Sequence, residues 1–314
     1  MNEADSPSQE YEQLVPPLYP PLSISTYGEL IKSKQTFLLL YTAIFAYFIS
    51  AWQAGFDLWA FLWFTVSLFF AISGSTLLNM YVDRDIDALM ERTKQRPLPS
   101  RRIPPSTVLK HGILFTVAGT VVVGIFTNII TMIVVFLGFF FDVVVYSLLL
   151  KRRTRVSIIF GGIAGGLPAI AGRTAVLGYI DLPAILMGFF VLCWIPLHIL
   201  TLALIPKNLE GYKNARVPMW PVVSSQTQTI RVVTSSAILS ASIVVLTGIS
   251  LQINFLVLFP LILFCAFILF QAFANLKQPS QPRTFKIFKL ASIFMAFAFL
   301  WLYVGVVLTS FLPL

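Results

Sequence analysis

Asn79, Asp83 and Asp87 recur every fourth residue, and Arg92, Lys94, Arg96, Arg101 and Arg102 follow shortly after. At about 100° per residue the first three share one helical face, while Asp85 points elsewhere. Oxygen donors in a row, followed by cations, suit a Mg²⁺ ion that bridges the protein to a phosphorylated substrate. The hard cation takes carboxylate and phosphate oxygens, and the basic residues neutralise the remaining charge. A loop that merely set membrane topology would need the cations but not the carboxylates. An apolar run over 58–78 leads directly into these acids, and a carboxylate at the mouth of a membrane helix is costly to keep.

The elements that carry these residues are membrane helices. The chain of 314 residues is 57% hydrophobic and 11% charged, well below the roughly 25% charged of soluble domains. Spans of about 20 residues are needed to cross the hydrocarbon core. The apolar runs yield nine, at 35–53, 58–79, 107–126, 129–150, 157–176, 183–205, 231–250, 253–275 and 290–311. None alternates as a membrane barrel requires. The expected fold class is therefore an all-α integral membrane protein, a bundle of about nine transmembrane helices. Residues 1–30, acidic and rich in proline, read as a disordered tail, and 31–314 as the membrane domain.

The net charge of +9 is not spread evenly. Lys32 and Lys34 precede the first span, and basic clusters follow the second, fourth, sixth and eighth, including Lys151, Arg152, Arg153 and Arg155. If nine helices alternate, these all lie on one side and only Arg173 on the other. The bias predicts a cytoplasmic N-terminus, cytoplasmic basic loops and an outside C-terminus. Cations confined to helix ends argue against nucleic acid as a partner. Residues 1–31 hold no Lys or Arg, so neither a secretory signal nor a mitochondrial presequence fits. The expected location is the plasma membrane of a prokaryote. Cys193 and Cys265 fall inside spans, which excludes a disulfide framework.

Two of the inner connections, 80–106 and 206–230, are long and carry the unusual residues. An enzyme that takes a charged substrate from the cytoplasm has reason to build such loops. The second contains Glu210 as its only acid, beside Tyr212. Glu210 suits either a second metal ligand or a solvated loop position. Asp142 lies deep in the fourth span, where an acid costs about 2.5–3.5 kcal/mol and must face the bundle interior or a wet cavity. It shares a face with Tyr146 one turn on, and fits either a hydrogen-bonded structural acid or a group that handles the acceptor. Gly161, Gly162, Gly165 and Gly166, ahead of Pro168, read as a close helix–helix contact.

Asn79-x-x-x-Asp83-x-x-x-Asp87, with Arg92-Thr-x-x-Arg96-Pro-Leu after it, resembles the first aspartate motif of the UbiA-type intramembrane prenyltransferases. Members have about nine helices and use Mg²⁺ to move a prenyl group from its diphosphate to an acceptor. Three further stretches are similar to the branch that farnesylates haem: Tyr146-Ser-Leu-Leu-Leu-Lys151-Arg-Arg-Thr154, Trp194-Ile-Pro196-Leu-His198 and Val217-Pro218-Met219-x-Pro221-Val222. Where that branch has Asp-Asp-Tyr this chain has Glu210-Gly211-Tyr212, one carboxylate fewer. The resemblance implies farnesyl diphosphate and haem b as substrates (haem not being a prosthetic group), with haem O and diphosphate as products. It also implies the bilayer as setting and a downstream haem-modifying or oxidase-assembly partner. On it, Asn79, Asp83 and Asp87 hold metal, with Glu210 as a further candidate ligand, and Arg92, Lys94, Arg96, Lys151 and Tyr212 meet the diphosphate. Tyr146 is implied near the reacting end, and Trp194, His198 and Asp142 on the acceptor side. A family member acting on a quinone precursor or archaeal lipid is the nearest alternative. A polytopic transporter is the alternative of another class, and would place its charges near the bilayer midplane on broken helices.

Overall fold

The computed structural model describes residues 19, 24–31 and 33–312. Within them the chain forms α1 (Ile24–Leu30), α2 (Ser33–Ala54), α3 (Leu58–Leu89), α4 (Pro105–Phe126), α5 (Ile129–Phe139) with a π-helical continuation (Phe140–Leu150), α6 (Ser157–Leu177), α7 (Leu182–Ala203), α8 (Pro206–Asn214), α9 (Trp220–Val223), α10 (Gln226–Ser250), α11 (Phe255–Lys277) and α12 (Gln281–Phe311). Among the described residues nine helices are long and apolar enough to cross a membrane, and each overlaps one of the nine expected spans. In lipid each must satisfy its backbone internally, which helices do.

Four short connections start the next helix in the same way. Asp57, Asn128, Asp181 and Asn254 each accept a hydrogen bond from a backbone N–H in the first turn of α3, α5, α7 and α11, which satisfies a donor that the helix itself cannot. All four lie at the end of the bundle opposite the basic loops. Across that end Arg173 is buried and grips Asp181 through Nε and Nη2, with Nη1 donating to Ser50 at 3.2 Å.

The helices pack as two clusters. α2 to α6 share a core that includes Tyr47, Phe64, Leu68 and Val134, while α7 and α10 to α12 enclose Phe190, Leu261, Ile268, Phe294 and Phe299. α2 and α6 join them, touching each other, with α2 also against α12 and α6 also against α7. The glycine segment of α6 makes this junction possible. A methyl group at Gly166 would collide with the carbonyl of Gly188 in α7, and one at Gly172 with the carbonyl of Ala43 in α2. The expected close helix contact is the observed one.

Several boundaries differ from expectation, among them the start of α12 at Gln281 rather than 290. α3 runs ten residues past the apolar span, to Leu89, so its acids stand on helix rather than in a loop. The second long connection is largely folded, as α8 and α9. The expected disordered tail ends earlier than residue 30: Ile24–Leu30 is helical and docked, with Tyr27 bonded to His111 at 2.9 Å and Glu29 paired with Arg102 at 2.5 Å. The expectation for 1–18 and 20–23 lies outside the described residues.

Candidate active site at the acidic end of α3

The helical period continues through the final turns of α3. Asn79, Asp83 and Asp87 are 8%, 4% and 5% exposed, and Asp85 is exposed. Each buried member meets a different partner. Asn79 is held by Asp142 and Ser147, Asp83 is paired with Lys151, and Asp87 with Arg96 at 2.6 Å. Asn79 and Asp87 are eight residues apart, about 12 Å along the axis. One Mg²⁺ with ligands at about 2.0–2.1 Å therefore cannot take all three directly, and the stripe suits ligation by adjacent pairs. Asp85 turns outward as expected and receives a two-pronged contact from Arg152, both arms at 2.6 Å.

Lys151 reaches Asp83 because of the π-helix. Asp142 and Lys151 are nine residues apart, and at 100° per residue they would face opposite sides. Widened to i→i+5 bonding, with roughly 4.4 residues per turn, the segment returns to the same face after two turns. The bond from Lys151 N to Tyr146 O, at 2.8 Å, continues that pattern. Asp142, Tyr146 or Ser147, and Lys151 thus form a second stripe that runs beside the stripe on α3.

Asp83 presents its two oxygens differently. Oδ2 faces Lys151, whereas Oδ1 is buried without a hydrogen-bond donor. A buried carboxylate oxygen left unpaired is costly, and a divalent cation is the ligand that would use it. Two carboxylates, an amide and two cations match the habit of Mg²⁺, which takes one or two carboxylates and completes its shell with phosphate and water. Burial works against the charge on Lys151, but Tyr146, Asp83 and Asp87 outweigh it and hold the ammonium well above its ordinary pKa. It stays a cation in this site.

The ring of Tyr146 lies 5.5 Å from Lys151 Nζ, and Gly161 leaves room for that ring. Tyr212 is buried in the same core cluster as Ile86 and Met90, so α8 packs at the end of α3 that carries the acids. Other expected contacts are not assembled. Arg92 is exposed, and Lys94 is exposed and engaged by Glu91 at 2.7 Å. Glu210 is exposed, and among the described residues no three His, Cys, Asp or Glu side chains gather into a metal site. Asp142 faces α3, accepting from Ser75 and Asn79, which is the hydrogen-bonded setting of the two expected for it and not the acceptor side. Trp194 and His198 lie between α7 and α12: the imidazole is stacked between Trp194 and Phe288, both at 4.7 Å, with Ser292 at 3.4 Å from Nδ1.

Sequence reasoning missed Ser75, Ser147, Thr93 and Arg152. Ser75 is one turn before Asn79 on the same face, a signal that was available. Thr93 is fully buried and donates to the Asp87 carbonyl at 2.9 Å, tying the loop to the helix end.

Comparison with known proteins gives consistent matches. The sequence profile of the UbiA prenyltransferase family matches residues 39–301. Protoheme IX farnesyltransferase of Archaeoglobus fulgidus is 38% identical over 284 residues, 89% of this chain and 97% of that protein. The enzyme of the same name from Korarchaeum cryptofilum is 42% identical over 210 residues, covering 67% and 69%. A structure of digeranylgeranylglyceryl phosphate synthase superposes with a TM-score of 0.74 at 22% identity, over 90% of this chain and 98% of the other. A UbiA homologue from Archaeoglobus fulgidus bound to GPP and Mg²⁺ superposes with a TM-score of 0.63 at 16% identity, over 88% and 99%. At these identities the structures speak for the fold.

Proposed function

The chain belongs to the UbiA prenyltransferase family, and from that premise we propose that it transfers the farnesyl group of farnesyl diphosphate to a vinyl group of haem b. Water supplies the hydroxyl, and the products are haem O and diphosphate. The membrane fold and the prenyltransferase activity come with the family; the haem acceptor is supported by relatives named protoheme IX farnesyltransferase. The observation that carries the chemistry is the doubled ion pair on α3, Asp83 with Lys151 and Asp87 with Arg96, beside the unpaired Asp83 Oδ1.

The demanding step is cleavage of the allylic C–O bond, in which diphosphate leaves with the electron pair and the farnesyl carbon becomes cationic. Lys151 and Arg96 are already oriented by Asp83 and Asp87. They can therefore donate to the departing diphosphate without reorganising as its charge grows. Mg²⁺ held by Asp83, with the Asn79 oxygen one turn before it or Asp87 one turn after it, would neutralise further charge on that leaving group. Tyr146 offers a ring face beside Lys151 to a cationic carbon. The surrounding helices keep water from quenching it before the acceptor adds. By the charge bias of the loops, this end of the bundle faces the cytoplasm of a prokaryotic plasma membrane. Haem leaving with a farnesyl tail is matched to a downstream haem-modifying or oxidase-assembly partner.

The test is mass spectrometry of haems after the purified protein is incubated with haem b, farnesyl diphosphate and Mg²⁺. A mass gain matching hydroxyethylfarnesyl is expected. Unchanged haem, with diphosphate released only when an aromatic acid or a lipid acceptor is supplied, would move the assignment to another branch of the family. No diphosphate release with any acceptor would sink the enzymatic reading.

A further inference from the structure

Asp142 is bound to the acidic stripe yet is not part of it. Its Oδ2 accepts from Ser75 Oγ at 2.8 Å and from Asn79 Nδ2 at 2.5 Å, both on α3. At the other end of the same amide, Ser147 Oγ donates to Asn79 Oδ1 at 2.9 Å. Ser75 and Ser147 are 6% and 1% exposed, so protein rather than solvent surrounds this network. Asp142 and Ser147 are five residues apart, one π-turn, and the wide turn is what lets both reach Asn79.

The two ends of a side-chain amide are chemically opposite: one donates twice, the other only accepts. A carboxylate repels the carbonyl end, and a serine hydroxyl fixed on the far side rewards it. Asp142 and Ser147 together therefore permit one orientation of Asn79. The amide oxygen has two acceptor positions, and Ser147 occupies one. The other remains on the residue that shares a face with Asp83 and Asp87.

We propose that Asp142 is a positioning residue, locking the amide of Asn79 so that its oxygen is presented to the divalent cation of a bound prenyl diphosphate. Asp142 touches neither the substrate nor the metal. The proposal rests on the prenyl-diphosphate reading above and replaces the expectation of a role at the acceptor. It also gives a reason to keep an acid at this depth, where the insertion cost would otherwise select against it.

The experiment is calorimetric titration of the full-length protein in detergent with inorganic diphosphate across a range of Mg²⁺ concentrations. The proteins compared are unsubstituted, Asp142→Asn, Asn79→Ala and the double variant. Asp142→Asn keeps shape and hydrogen bonding but accepts either end of the Asn79 amide. Groups that orient metal ligands from behind typically matter about 10- to 100-fold, so Asp142→Asn is expected to raise the half-saturating Mg²⁺ about 10-fold. In the Asn79→Ala background it is expected to change it less than about twofold, since two residues in one pathway do not add. A merely structural acid would weaken binding equally in both backgrounds, and that result overturns the proposal. So does an Asp142→Asn protein that binds like the unsubstituted one. If Asp142→Asn does not accumulate, Ser147→Ala releases the amide from its other end and carries the same two-background comparison. Failure of the unsubstituted protein to bind diphosphate with Mg²⁺ would overturn the prenyl-diphosphate reading and this proposal with it, and is told apart from the other failures by that one sample.

Discussion

The end of α3, in the second span, and the short helix α8, after the sixth, both offer carboxylates at the basic end of the bundle, yet they are built differently. On α3, Asp83 and Asp87 are buried, and a cation from another segment meets each. On α8, Glu210 is exposed, and Gly211 stands where a second acid would complete the pair. A charge in water interacts weakly at any distance beyond contact, whereas the same charge under protein is strong and must be compensated. An acidic motif is therefore a site only where the fold removes it from solvent and supplies its counter-charges. By that criterion the electrostatic work is concentrated on α3, and α8 contributes mainly Tyr212 as a cover.

Changes on the two helices should differ in size accordingly. Asp83→Asn should lower turnover at least about 100-fold while the protein still accumulates, as expected for a lost major electrostatic stabiliser. Near-normal rates of haem conversion would break the comparison at its strong end. Lys151→Met leaves Asp83 buried and unpaired, and removing one partner of such a pair costs about 3 kcal/mol or more. Denaturation in detergent should show that loss, and Lys151→Arg should restore much of it. Restoring the missing acid, by Gly211→Asp, sharpens the contrast. The nearest atoms a new Cβ would meet, on Met90, are at 3.5 Å or more, an ordinary contact. The Mg²⁺ needed for half-maximal turnover should fall by a few-fold at most. Glu210→Gln should alter turnover less than about twofold, and a larger effect would give α8 a direct role in the chemistry.

The smallest effect belongs to the α1 dock. The hydrogen bond from Arg102 holds the Glu29 carboxyl below its ordinary pKa. A carboxylate depressed in the folded state contributes stability above its unfolded pKa, near 4.5, and loses it as pH falls through the lower folded value. The pair is largely exposed, so the contribution is small. Proteolytic nicking before α2 should therefore rise only modestly below about pH 4.5, and Glu29→Gln should abolish that pH dependence.

Much of the architecture was open to reading without coordinates. Nine apolar runs forecast nine helices, because lipid offers backbone groups no partner and each run must bond to itself. The spacing of Asn79, Asp83 and Asp87 forecast one shared face, because helical period is a local property. Where reading stopped is equally physical. The end of α3 was placed at 79 because hydropathy falls there, but the helix continues to Leu89, since Lys151, Arg96 and Arg152 compensate its acids across space. That Asp142 faces the interior was legible, but which helix it would meet there was not. At α-helical pitch it shares a face with Tyr146 and opposes Lys151, and the π-helical register cancels that opposition. Local chemistry thus settles which segments are helices and which residues share a stripe, because both depend on neighbours within a turn or two. Which stripe meets which, and so which cation answers Asp83, depends on packing between segments 68 residues apart, and no local pattern encodes it.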